Sequence, residues 1–69
     1  MKLSARNQLE GTVKSINKGP VSTEVVIDVN GTEIVSSITT GSAEALELKV
    51  GDTAIAVIKA SSVMVGVPH

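Results

Sequence analysis

The feature that most restricts this chain is the dipeptide Asn30-Gly31, set between two runs of strand-forming residues. Val21 to Val29 carries Val21, Thr23, Val25, Val26, Ile27 and Val29, and Thr32 to Thr39 returns with Ile34, Val35 and Ile38. β-branched side chains fit a pleated surface, and Asn-Gly tolerates the positive φ that both central positions of a type I′ turn require. The pattern therefore predicts a tight antiparallel hairpin. Asn30-Gly31-Thr32 also spells a glycosylation sequon, but no secretory leader is read ahead of it, so the turn is the stronger reading.

The rest of the chain builds around that hairpin. From Asn7 to Ile16, Leu9, Gly11 and Val13 alternate with Gln8, Glu10, Thr12 and Lys14, the period of a half-buried strand. Gly11 suggests a bulge or bend there. Asn17-Lys18-Gly19-Pro20 reads as a turn. Thr40-Gly41-Ser42 offers N-cap side chains to a short helix over Ala43 to Leu48, with Glu44 and Glu47 near its start to suit the helix dipole. Lys49 to Asp52 is a turn, Thr53 to Lys59 a fourth strand, Val63 to Val65 a fifth, and the tail after Gly66 is expected to fray. Short bent strands with a helix between the third and fourth predict an all-β fold: an OB-like five-stranded Greek-key barrel, one domain over residues 1–69.

A chain of 69 residues has little volume with which to bury a core, and small folds compensate with disulfides, a metal or oligomerisation. There is no cysteine, and the one histidine is His69, so no Cys-based zinc site or His cluster can form. Hydrophobic residues reach 42% and charged residues only 19%, against about 25% charged in an average soluble domain. The surplus predicts faces hidden against further copies. No leader and no membrane-length apolar run is read, which makes the cytoplasm the expected location and a membrane partner unexpected.

Composition also excludes functions. OB barrels that hold single-stranded nucleic acid stack bases on aromatic rings, and this chain has no Phe, Tyr or Trp. Its 6 Lys and Arg against 7 acids give a net charge of −1, with no basic field for a polyanion. Acid–base or nucleophilic catalysis needs a base that Glu10, Glu24, Asp28, Glu33, Glu44, Glu47 and Asp52, spread over polar strand positions and turns, do not supply. No phosphate-cradling glycine loop is present. The chain is expected not to be an enzyme and to need no cofactor.

What remains is hydrogen-bond donors. Ser4-Ala5-Arg6-Asn7 and Lys59-Ala60-Ser61 each place hydroxyls, a cation and amides within a few residues of a strand end. Arg offers five N–H donors and Lys three, with no acceptor on either. Thr39, Thr40, Ser42 and Ser62 add hydroxyls, and the turn at 39–42 is expected to present free amides at a helix start. A site made only of donors suits a tetrahedral dianion and disfavours one that carries a proton. A structural or interaction module that docks a partner protein, with any anion incidental, is the competing reading.

The motifs carry a resemblance as well. Ser-Ala-Arg-Asn-Gln-Leu at 4–9 resembles the opening motif of the molbindins, small bacterial molybdate- and tungstate-binding proteins. Val-Ile-Lys-Ala-Ser-Ser-Val-Met at 57–64 is similar to their closing motif, and Lys18 to Val25 and Ile38 to Ser42 are similar to their middle segments. The resemblance covers nearly the whole chain. It implies intracellular storage or buffering of molybdate or tungstate, bound as an oxyanion with no side chain ligating the metal. It implies a homohexamer, a trimer of dimers, with sites between subunits. One class of site would use Ser4, Ala5, Arg6 and Asn7, with Lys59, Ala60 and Ser61 of the partner and closure by Thr39 and Ser42. A second class near the symmetry axes would use Val21 and Ser22. Pro20 has no N–H to donate in the adjoining turn, a departure that bears on that second class.

Overall fold

The structure is a computed structural model that describes residues 3–68. Its elements run β1 (Asn7–Lys18), β2 (Ser22–Val29), β3 (Thr32–Thr39), α1 (Thr40–Ala45), β4 (Thr53–Ile58) and a 3-10 turn (Ala60–Ser62). The strands form one antiparallel sheet in the order β3-β2-β1-β4. The class is the all-β, OB-like one expected, with the helix between the third and fourth strands. Among the described residues the strand count is four, not five: the 63–65 run pairs with neither edge of the sheet and forms no strand.

The hairpin lies where Asn30-Gly31 put it. Both residues have positive φ, 50° and 89°, and Val29 pairs with Thr32 across the turn. Gly11 is not a bulge. The register slips further along β1, between Val13 and Ser15, and Gly11 is glycine because a Cβ there would collide with the Asp28 carbonyl on β2. β1 also runs two residues past the expected end, to Lys18.

The helix starts earlier than expected, at Thr40, because Thr39 is its N-cap: the Thr39 hydroxyl accepts the Ser42 N–H at 3.1 Å. It stops at Ala45, since Glu47 has φ 53° and cannot continue it. No acidic residue falls in its first turn, so the dipole role expected of Glu44 and Glu47 does not arise.

Cross-strand register puts Leu9, Val13, Val25, Ile27, Ile34, Ile38, Ala54 and Ala56 on the inner face of the curled sheet. Val13, Val25, Ile27 and Ala56 form the buried cluster. Fully burying a Val or Ile contributes about 1.5–3 kcal/mol, so this core is thin. Among the described residues, five hydrophobic side chains are buried and twelve larger ones are exposed. Leu9 sits on the core face beside Ala56 yet remains 38% exposed. The inner face is open at that end, between the unpaired edges of β3 and β4.

Candidate functional site

The predicted site residues collect at two ends of the sheet. At the first, Asn7 pairs with Ile58, which brings Ser4-Ala5-Arg6-Asn7 alongside Lys59-Ala60-Ser61 within one chain, where the resemblance implied that a partner would supply the second motif. Ser4, Arg6, Lys59, Ala60 and Ser61 are exposed, and Ala5 and Asn7 are half-buried. The 3-10 turn that follows Lys59 closes through Ser62 N–H to the Lys59 carbonyl, 2.9 Å, and leaves the amides at its start unused. The Ser4, Ala5 and Arg6 amides likewise donate no backbone bond among the described residues. Gln8 Nε2 donates to the Ala5 carbonyl at 2.8 Å and steadies the segment.

The charges divide along the same line. Lys14 pairs with Glu33, and Lys18 with Glu44 at 3.5 Å, both on exposed surface. Glu33 holds the Lys14 ammonium above its ordinary pKa, through the hydrogen bond first and the opposite charge second. Arg6 and Lys59 form no such ion pair among the described residues. The first end thus presents two cations, hydroxyls and amides, with no carboxylate paired to them among the described residues.

The second end gathers Val21, Ser22, Thr39 and Ser42. Ser22 pairs with Thr39, and the helix starts directly after it. Part of the donor supply expected here is already used. The Thr40 N–H donates to the Val21 carbonyl at 2.9 Å and the Ser42 N–H to Thr39 Oγ1, so those amides are not free. Thr39 Oγ1 donates to Ser42 Oγ at 2.7 Å, which leaves the Ser42 proton available for another acceptor.

Beneath this end lies a group that sequence reasoning missed. Thr23 and Thr40 are buried with their Oγ1 atoms 2.8 Å apart, and Thr40 Oγ1 donates to the Gly19 carbonyl at 2.7 Å. The network ties the turn holding Val21 and Ser22 to the helix start holding Thr39 and Ser42. A signal was there: Thr23 shares the strand face of Val25 and Ile27, and a hydroxyl on a core face must find a partner.

The two ends are far apart within one chain. They lie at opposite ends of β1, roughly 36 Å of strand path at ~3.3 Å per residue. None of four surface grooves is lined by residues 4–7 or 59–61, so this cationic end is open surface in one chain. Among the described residues no group of three His, Cys, Asp or Glu could hold a metal ion. His69 lies outside them. No helix is long and apolar enough to cross a membrane.

Comparison with known proteins gives this geometry its context. The TOBE domain model matches residues 3–65. The chain is 52% identical to a probable molybdenum-pterin-binding protein of Haemophilus influenzae, over 97% of this chain and 99% of that one. It is 48% identical to the molybdenum transport protein ModE of Herbaspirillum seropedicae, covering 93% of this chain but only 24% of that longer protein. The structure of the cytoplasmic molybdate-binding protein ModG with molybdate bound superposes with a TM-score of 0.92 at 52% identity, over 99% of this chain and 49% of that one.

Proposed function

Since the chain belongs to the molbindin family of TOBE domains, we propose that it binds molybdate, and tungstate nearly as well, as a reversible, non-catalytic cytoplasmic store or buffer. The binding unit is the single oxyanion-binding domain of residues 1–69, assembled as a homo-oligomer, a hexamer built as a trimer of dimers. The observation that carries this reading is the cationic end. Among the described residues Arg6 and Lys59 form no ion pair, and they lie beside Ser4, Asn7, Ser61 and unused amides. Hydrogen bonds from charged donors are roughly twice as strong as neutral ones, so Arg6 and Lys59 supply the attraction while hydroxyls and amides supply direction.

That end is open in one chain, and a bare dianion is held tightly only when water is excluded around it. A second copy closes it by bringing Thr39 and Ser42, with Ser42 donating the proton that its bond from Thr39 leaves available. Ser4, Ala5, Arg6, Asn7, Lys59, Ala60 and Ser61 thus come from one copy, and Thr39 and Ser42 from its neighbour. Val21 and Ser22 form a second class of seat near the symmetry axes, altered by Pro20, which has no N–H to donate. Sulfate offers the same charge and acceptors, so selection against it rests on the size of the closed cavity. A ligand at the seam also stabilises the assembly by mass action.

The test is isothermal titration with molybdate, tungstate and sulfate. Micromolar or tighter binding of the first two at several sites per oligomer, with sulfate much weaker, is the expected result. Absence of heat with all three would leave the partner-docking module as the better reading.

A further inference from the structure

The turn between β1 and β2 is closed by one backbone bond where two are usual. Gly19 and Ser22 face each other across Pro20-Val21, and such a pair in a two-residue hairpin turn commonly exchanges both of its N–H to C=O bonds. Here Gly19 N–H donates to the Ser22 carbonyl at 3.0 Å, but Ser22 N–H does not return the bond. The two residues are close, since a Cβ on Gly19 would lie 2.6 Å from the Ser22 carbonyl. What Ser22 lacks is its acceptor. The Gly19 carbonyl accepts the Thr40 hydroxyl instead, at 2.7 Å.

Thr40 holds this turn twice. Its N–H donates to the Val21 carbonyl at 2.9 Å, and its O–H to that of Gly19. A hydroxyl has one proton, so the proton in the 2.8 Å contact between Thr23 and Thr40 belongs to Thr23. The chain of bonds runs from Thr23 O–H to Thr40 Oγ1 and from Thr40 O–H to Gly19, each bond polarising the next. Thr23 is 0% and Thr40 8% exposed, so water does not compete for either hydroxyl. Both turn carbonyls are thereby drawn toward the helix start. C=O and N–H point opposite ways in a trans peptide, so the held Val21 carbonyl turns Ser22 N–H away from β3. Neither Val21 N–H nor Ser22 N–H donates to a turn or loop carbonyl among the described residues, and the β1–β2 ladder ends at Lys18 and Thr23.

We propose that Thr40 is a positioning residue for the second seat: its buried hydroxyl occupies the Gly19 carbonyl, which keeps Ser22 N–H from closing the turn and leaves it for the anion. The same bond withdraws a partly negative oxygen that would repel a dianion. Pro20 sharpens the need, because with no N–H there, Val21 and Ser22 supply the amides of the turn. This inference rests on the second seat proposed above and adds what keeps its donors open.

Scalar couplings across hydrogen bonds read the turn directly in isotope-labelled protein without ligand. The coupling from Gly19 N to the Ser22 carbonyl carbon is the positive control, since that bond is made. The parent should show it without the reciprocal coupling from Ser22 N to the Gly19 carbonyl carbon. In Thr40→Val the released carbonyl takes Ser22 N–H, and the reciprocal coupling appears. Molybdate titration followed at the Ser22 amide should then weaken about tenfold, what one hydrogen bond to an ion contributes, while the response at the Arg6 amide holds. Thr40→Ser should restore the parent behaviour. Thr23→Val leaves the Thr40 proton on Gly19, so it should lower the unfolding midpoint yet keep the Ser22 affinity, which separates positioning from stability. A reciprocal coupling in the parent would overturn the inference whether or not Thr40→Val folds. Unchanged Ser22 affinity in a folded Thr40→Val protein would overturn it too. A parent Ser22 amide that ignores molybdate, with the couplings as expected, would overturn the second seat itself and leave the account of the turn standing.

Discussion

Thr40 is half of the one buried hydroxyl pair described here, and its loss leaves two groups stranded. Without its hydroxyl, Thr23 Oγ1 and the Gly19 carbonyl lose their partner, and an orphaned buried polar group costs about 1–3 kcal/mol. Thr40→Val should therefore lower stability by that amount in urea titration, and adding Thr23→Val should cost less than the sum of the two single changes. Gly11→Ala sets a Cβ against the backbone of Asp28, which cannot yield as a flexible side chain would. A loss of about 1–3 kcal/mol is expected, as for overpacking elsewhere. At the site, Arg6→Ala should weaken molybdate binding by about 10- to 100-fold, since a hydrogen bond to a charged group contributes roughly 1.5–3 kcal/mol. Glu33→Ala should leave that affinity unchanged. It should also lower the Lys14 pKa, read by NMR, because Glu33 is what raises it. The stability linked to the raised Lys14 pKa is present at neutral pH and is lost as pH climbs through the Lys14 titration. Both partners are exposed, so the effect is screened and small.

At the level of elements, what was readable from the chain depended on how local its cause is. The 30–31 hairpin and the bounds of β3 followed from dihedral chemistry confined to a few residues. The helix was misplaced by three residues because Thr39, the last strand residue, doubles as its cap, and composition favoured the Ala-Glu-Leu run instead. Removing that cap with Thr39→Ala should cost about 1 kcal/mol by thermal unfolding. Gly11 stands out in the sequence as a strand glycine, but its cause, the close approach of β2, is a tertiary fact that local pattern does not carry. The 63–65 run has a strand-forming sequence, but it pairs with no strand among the described residues. The two donor motifs could be named from the sequence. That the strand register sets them side by side, and sets Thr39 and Ser42 at the far end of β1, could not.

At the scale of the whole molecule, the account is one of incompleteness met by repetition. Among the described residues, twelve exposed large apolar side chains, two unpaired sheet edges and an open cationic end are the surfaces that the proposed homo-oligomer would cover. Its central claim is that Arg6 of one chain and Ser42 of another hold the same anion. Subunit mixing tests this directly. Arg6→Ala and Ser42→Ala proteins, each weakened alone, are unfolded together, refolded as mixed assemblies and titrated with molybdate. Where Arg6 comes from the Ser42→Ala chain and Ser42 from the Arg6→Ala chain, an intact site re-forms, so the account predicts that tight binding returns in a fraction of sites. Mixed assemblies that bind no better than the separate variants would contradict it, because a site within one chain can never be restored by mixing.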